Sequence, residues 1–175
     1  MIELIRNDRR LRDSAFSEIY DRYAVKVRGF CNYMIQNSDH VEDIFQETFI
    51  YFFSNIRENR ELTNPPAFLM SIARNLCLKY YRDRKTTVPF TGDEFFVDER
   101  NKYDNNEMFS LIVKALQLID EKYREAFILR EFEGNSYDEI AKICDTSITN
   151  AKSRVFRAHK QIIEILRPYM KDLAK

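Results

Sequence analysis

The sequence predicts an all-α protein made of two small helical domains joined by a flexible acidic linker, the second domain ending in a helix-turn-helix. Three observations carry this. The 175 residues include 3 Gly and 4 Pro, too few to punctuate hairpins or βαβ units. Apolar and aromatic residues recur at three- and four-residue spacings along most of the chain, and a 45% hydrophobic share suffices for packed cores. The formal charge sums to +0 but is sorted by segment. From Thr146 to Lys175, Lys152, Arg154, Arg157, Lys160, Arg167, Lys171 and Lys175 stand against Glu164 and Asp172. From Val88 to Glu107, Asp93, Glu94, Asp98, Glu99, Asp104 and Glu107 stand against Arg100 and Lys102.

The first helix runs from Ser14 to about Gln36, where Phe16, Ile19, Tyr20, Tyr23 and Val27 form one stripe. Asp39 is the expected N-cap of the second, with Glu42 three residues on as in a capping box, and Val41, Ile44, Phe45, Thr48, Phe49 and Phe52 continue to about Ile56. Arg57 to Pro66 reads as a short polar loop, because Asn59, Asn64 and the Pro65-Pro66 pair oppose helix continuation. Helix resumes from Pro66 to about Arg84 through Phe68, Leu69, Ile72, Ala73, Leu76 and Tyr80, and ends in the basic run Arg82, Arg84 and Lys85. Residues 87–106 have no apolar period and hold Pro89, Gly92 and the acids, which makes them the linker between domains at 1–86 and 107–175.

The second block opens with Met108, Leu111, Ile112, Ala115, Leu116 and Ile119, followed by a helix from Lys122 to Glu131 that closes near Gly134. Ser136-Tyr137-Asp138-Glu139 matches a capping box, so a new helix starts at Tyr137 with Ile140, Ala141 and Ile143 facing inward. Cys144-Asp145-Thr146 interrupts it, Asp145 standing where such turns often use Gly and being acceptable there because Asp tolerates left-handed backbone, and Ser147 can cap the next helix. A short helix, a three- to four-residue turn and a second helix, with small Ala141 where the axes cross, describe a DNA-reading helix-turn-helix.

On the second helix Ile148, Ala151, Val155, Ala158 and Ile162 gather on one side at about 100° per residue. Thr149, Asn150, Ser153, Arg154, Arg157, Lys160 and Gln161 cover the other side, which is cationic and nearly free of acids. Such a surface suits a groove of DNA, because Arg and Asn bond base edges while Lys, Ser and Thr bond phosphates.

Other classes find little purchase. Cys31, Cys77, Cys144, His40 and His159 give no zinc-type spacing, so no metal is expected and the cysteines read as small buried hydrophobes. No Gly-rich phosphate loop or nucleophile elbow is present, so neither an enzyme, a cofactor nor a small-molecule substrate is expected. The charged N-terminus and the absence of an 18-residue apolar run predict a cytoplasmic protein with no direct membrane insertion.

The stretches Glu133 to Ala141 and Ala151 to Ala158 resemble region four of the extracytoplasmic-function (ECF) sigma factors of the sigma-70 family. Asp39 to Phe49 is similar to the family's region 2.2, and Phe68 to Asn75 to its region 2.4. The resemblance implies a sigma factor that directs core RNA polymerase to promoters and assists melting, with the beta-prime clamp and beta flap of polymerase, promoter DNA and an anti-sigma factor as partners. It assigns Asp43, Gln46 and Glu47 to polymerase binding. It assigns Asn59, Arg60 and Asn64 in the loop, and Arg74, Asn75, Lys79, Tyr80, Arg82 and Arg84 beyond it, to the minus-ten element, with Tyr81 a further stacking ring. For the minus-thirty-five element it assigns Ser147, Thr149, Asn150, Lys152, Ser153, Phe156 and Arg157, with Arg130 reaching a phosphate. The helical wheel puts Lys152 and Phe156 at the flanks, where Phe156 can also be read as core. Phe68 stands where the family often has Trp, and Thr146 where an apolar residue is usual. A stand-alone helix-turn-helix regulator is the competing reading, and it would require the first 85 or so residues to supply a dimerisation or ligand domain.

Overall fold

A computed structural model of the chain describes residues 9–57, 64–87 and 107–173, all of it helices and their connections. The expected site residues Asn59 and Arg60 and linker residues 88–106 lie outside the described residues. The chain divides into two compact units, Met1–Thr91 and Gly92–Lys175.

The first unit is built from α1 (Arg9–Ile35), α2 (Ser38–Arg57) and α3 (Pro65–Thr87). Val27, Phe30, Cys31 and Met34 of α1 are fully buried against Phe52 of α2 and Leu69, Ala73 and Cys77 of α3. Each large side chain so enclosed contributes roughly 1.5–3 kcal/mol relative to exposure. Further toward the N-terminus the α1 stripe reaches the edge of this core: Phe16 lies 4.0 Å from Phe53 and Tyr20 lies 5.0 Å from Phe49, centroid to centroid, yet Phe16 and Tyr20 both remain exposed.

The reversal between α1 and α2 differs from the expected capping box. Gln36 adopts a left-handed φ of +54°, and Asn37 becomes the cap, its Oδ1 accepting from His40 N–H at 3.3 Å. Asp39 therefore sits inside the first turn, where a carboxylate is still favoured by the helix dipole. Glu42 is drawn instead to Arg28 of α1 at 2.5 Å. A second difference lies at α3, which begins at Pro65 rather than Pro66. The two prolines do not break a helix here because they occupy its first turn, where their missing N–H groups would have no intrahelical acceptor. Asn64 caps this start, its Oδ1 accepting from Ala67 N–H at 3.1 Å. The Tyr81 hydroxyl donates to the Met34 carbonyl and ties α3 to the end of α1.

The second unit contains α4 (Glu107–Leu116), α5 (Glu121–Phe127, continuing as a π-helical turn Ile128–Phe132), α6 (Tyr137–Ile143) and α7 (Ile148–Leu173). Asp120 caps α5. Arg124 is buried, and its guanidinium donates to the carbonyls of Leu116, Gln117 and Ile119 at 2.7, 3.1 and 3.2 Å. Leu116 ends α4 and Gln117 and Ile119 lie in the turn that follows, so a buried cation suits carbonyls that no helix continues to satisfy. The core gathers Leu116, Ile128, Leu129, Ile140 and Ile143 with Ala151, Val155, Ala158 and Ile162 of α7.

Candidate nucleic-acid interface

The Ser136–Glu139 capping box forms as the sequence predicts, with Ser136 N–H donating to Glu139 Oε2 at 2.7 Å and Glu139 N–H donating to Ser136 Oγ at 3.3 Å. At the other end of α6 Asp145 takes a φ of +48°, and Thr146 N–H donates to the Ala141 carbonyl at 2.9 Å. That six-to-one closure around a left-handed residue is the Schellman motif, here with Asp in place of the usual Gly. Ser147 then caps α7 by accepting from Asn150 N–H at 3.1 Å. A fixed cap, a fixed turn and a second fixed cap leave the angle between α6 and α7 little freedom.

On α7, Ala151, Val155, Ala158 and Ile162 pack inward, while Thr149, Asn150, Lys152 and Arg157 are exposed and Ser153 is half-buried. Phe156 is 71% exposed, which removes the core alternative and puts a large ring on the outward face. Ile148, which the wheel groups with the inward side, is exposed.

Arg154 departs from the wheel. Its Nη1 lies 3.1 Å from Oε1 of Glu125, a carboxylate of α5 with no exposed side-chain area, so it acts as an internal counter-ion rather than an outward group. A fully buried carboxylate is tolerable only when paired. Arg157 reaches across to α5 as well, donating to the Tyr123 hydroxyl at 3.3 Å from an exposed position. Arg130 is half-buried: its Nη1 donates to the Asn135 carbonyl at 2.9 Å and its guanidinium carbon lies 4.6 Å from the Tyr137 ring centroid. Lys152 Nζ approaches the same ring at 5.7 Å. Asn135 is buried, and its Oδ1 has no partner among the described residues.

In the first unit, Arg74, Asn75, Lys79 and Arg82 recur along one side of α3, opposite buried Ala73 and Cys77. Arg74 donates to Asn75 Oδ1 at 3.2 Å. Tyr80 is half-buried, 4.9 Å from His40, and its hydroxyl accepts from Arg84 at 2.9 Å. Asn64 has its Oδ1 engaged as a cap, which leaves its amide NH2 as the group to offer a ligand. On α2, Asp43 and Gln46 are exposed and Glu47 is half-buried. Gln46 donates to Glu42 Oε1 at 3.2 Å, and this bond, opposed by partial burial and assisted by Arg28, holds the Glu42 carboxyl below its usual range. Among the described residues there is no cluster of side chains able to hold a metal ion.

Glu125, Tyr123 and Tyr137 are not among the site residues the sequence leads one to expect. For Glu125 a signal existed: it is an acid set beside Arg124 and immediately before Ala126 and Phe127 on an apolar face, where an unpaired charge would be costly.

Two family models match the chain, "Sigma-70 region 2" over residues 19–87 and "Sigma-70, region 4" over residues 109–162. The ECF RNA polymerase sigma factor EcfG of Rhodopseudomonas palustris is 30% identical over 142 residues, covering 80% of this chain and 78% of that protein. The ECF RNA polymerase sigma-E factor of Haemophilus influenzae is 28% identical over 172 residues, 89% of each chain. Among solved structures, the sigma factor RpoE in complex with the anti-sigma factor NepR from Bartonella quintana aligns with a TM-score of 0.72 and 27% identity, covering 87% of this chain and 97% of that one.

Proposed function

The chain belongs to the ECF group of the sigma-70 family and is an RNA polymerase sigma factor, and from that premise we propose how its residues divide the work of promoter recognition. Residues 107–175 read the minus-thirty-five element, residues 1–86 bind polymerase and the minus-ten element, and residues 87–106 connect them. The observation that carries this is the α6–α7 pair, capped at each helix start and presenting Thr149, Asn150, Lys152, Phe156 and Arg157 to solvent from a helix whose opposite side is core.

In a major groove the Arg157 guanidinium matches the two acceptors of guanine and the Asn150 amide matches adenine, while the exposed Phe156 ring suits a thymine methyl. Thr149, Lys152, Ser153 and Arg130 lie along the same surface and supply phosphate contacts, which set register without reading sequence. Ser147 contributes mainly through its cap.

The row Arg74, Asn75, Lys79, Arg82 on α3 follows the backbone of the minus-ten element, with Arg84 carrying the positive charge onward. Tyr80, oriented by His40 and Arg84, offers a stacking edge to an unpaired base. Asn59, Arg60 and the Asn64 amide would hold a base extruded from the non-template strand. Capture of that kind offsets the few kcal/mol that unpairing and unstacking cost, which is how a protein with no chemical step of its own assists melting.

Asp43, Gln46 and Glu47 form the polymerase-facing side of α2, directed at the beta-prime clamp, and the second unit engages the beta flap. An anti-sigma protein is a further partner; the support for it is that RpoE of Bartonella quintana was solved with one. We place the protein in the cytoplasm with its polymerase, and no helix among the described residues is long and apolar enough to cross a membrane.

Run-off transcription tests the reading. Core enzyme supplemented with this protein should initiate at discrete sites in a library of upstream fragments from its own genome. Initiation no different from core enzyme alone would refute it.

A further inference from the structure

Two cations that repel one another converge on one aromatic ring. Tyr137, the first residue of α6, has the Arg130 guanidinium at 4.6 Å and the Lys152 ammonium at 5.7 Å from its ring centroid. Arg130 comes from the π-helical turn that ends α5, and Lys152 from the first turns of α7, so three different elements meet at this ring. Neighbouring acids are engaged elsewhere. Asp138 pairs with Lys142 at 2.5 Å, Glu139 completes the capping box, and Glu131 lies 3.4 Å from His159. Among the described residues no carboxylate lies within ion-pair distance of Arg130 or Lys152.

The face of an aromatic ring is electron-rich and attracts cations, but it carries no net charge and cannot neutralise two of them. Arg130 is further fixed by its bond to the Asn135 carbonyl. The result is a pair of oriented positive groups with their charge unmatched, beside the helix that presents Asn150 and Arg157. An anion that completes such an arrangement has several acceptor oxygens and arrives from solvent.

We propose that Tyr137 is a positioning residue whose ring aligns Arg130 and Lys152 into a clamp for a backbone phosphodiester of duplex DNA. The proposal rests on the promoter reading given above and adds to it the group that holds the clamp together. The ring, not the hydroxyl, is the working part. Tyr137→Phe therefore keeps the clamp and Tyr137→Leu releases it, although both variants keep the two cations.

The test uses the full chain, a labelled duplex of mixed sequence and a salt series read by fluorescence anisotropy. Wild type and Tyr137→Phe are expected to share one affinity and one slope of log affinity against log salt. Tyr137→Leu should bind about five- to thirtyfold more weakly, from two lost cation–ring contacts, with the slope reduced by roughly one to two as fewer counterions are released. In an Arg130→Gln, Lys152→Gln background the leucine substitution should have no further effect. If Tyr137→Leu keeps the wild-type slope, or if Tyr137→Phe is as weak as Tyr137→Leu, the platform is refuted while the promoter reading stands. If the wild type itself shows no salt-dependent binding, the clamp is refuted, and run-off transcription decides the promoter reading separately. A second measurement does not depend on the leucine variant folding: in free wild type the Lys152 ε-methylene protons should carry an upfield ring-current shift that persists in Tyr137→Phe, and its absence would overturn the proposal.

Discussion

Arg154→Met should destabilise the second unit by about 3 kcal/mol, the low end of the cost of breaking a buried pair from one side. The Glu125 side chain has 0% exposure and Arg154 has 25%, with 3.1 Å between charged atoms. At an effective dielectric near 20, two charges at that distance attract by about 5 kcal/mol. Desolvating the carboxylate and most of the guanidinium costs several kcal/mol, so the intact pair adds little net stability. Removing Arg154 takes away the attraction and leaves the desolvated carboxylate behind. Removing Glu125 is gentler, because Arg154 already reaches solvent and can turn outward, so Glu125→Gln should cost no more than about 1–2 kcal/mol. The double variant Glu125→Leu, Arg154→Met should recover most of the loss. Because the chain holds two units, amide exchange read separately on α5 and α7 is the assay of choice. The expected loss corresponds to roughly a hundredfold faster exchange there, at about 1.4 kcal/mol per decade. If Arg154→Met left exchange within twofold of wild type while relaxing base preference, Arg154 would be a reading residue and the pairing argument would be wrong.

Arg157→Ala should lower affinity for a cognate minus-thirty-five site by about 1–3 kcal/mol and relax preference at one base pair; an equal loss on every sequence in a binding-site selection would indicate a phosphate contact instead. Asp145→Val forces a β-branched residue into a φ of +48° and should destabilise by roughly 1–3 kcal/mol, whereas Asp145→Gly should be tolerated, as thermal melts will report. The Glu42 carboxyl titrates below its unfolded value, chiefly through Gln46 with help from Arg28. Its contribution is thus present above the ordinary carboxylate range and lost as pH falls through the lowered folded value, and it should shrink in Gln46→Ala, with Arg28 still in place, when followed by carbon-detected titration of the Glu42 carboxyl.

Much of the architecture was legible because local signals and tertiary demands agree. Ser136, Glu139, Asp145 and Ser147 each act within four residues of themselves, so the helix-turn-helix follows from short-range hydrogen bonding alone. Where the sequence misled, the deciding partner lay farther off or two local choices were nearly equal. Asn37 and Asp39 are both good caps, and the left-handed Gln36 selects Asn37 by placing the chain reversal two residues earlier. The Pro65-Pro66 pair reads equally as an end or a beginning, and Asn64 at the cap position settles it. Arg154 belongs to the outward arc of a wheel drawn for α7 alone, but its partner stands 29 residues away in α5. Periodicity within one helix carries no information on that distance. The ring of Tyr137 was invisible for the same reason, since its two cations come from the turn before α6 and the helix after it.

The π-helical turn at Ile128–Phe132 makes the placement of the DNA-reading pair a matter of counting residues. A π turn is one residue more than an α-helix needs, absorbed as a widened loop of backbone. That slack is local: deleting one residue from the turn would let α5 close as a regular helix with the chain downstream near its present direction, whereas deleting one from Glu121–Phe127 would bring everything downstream in rotated by about 100° and displaced by about 1.5 Å. Gly134, Ser136 and Tyr137 would then meet a different side of the core. A one-residue deletion in Glu121–Phe127 should therefore do more harm to promoter recognition than one in the π turn, or than one among residues 88–106, whose proposed task is to connect rather than to orient. In this unit the widened turn is a place of slack, taking up a residue that local helix geometry would omit while the helices on either side keep their register.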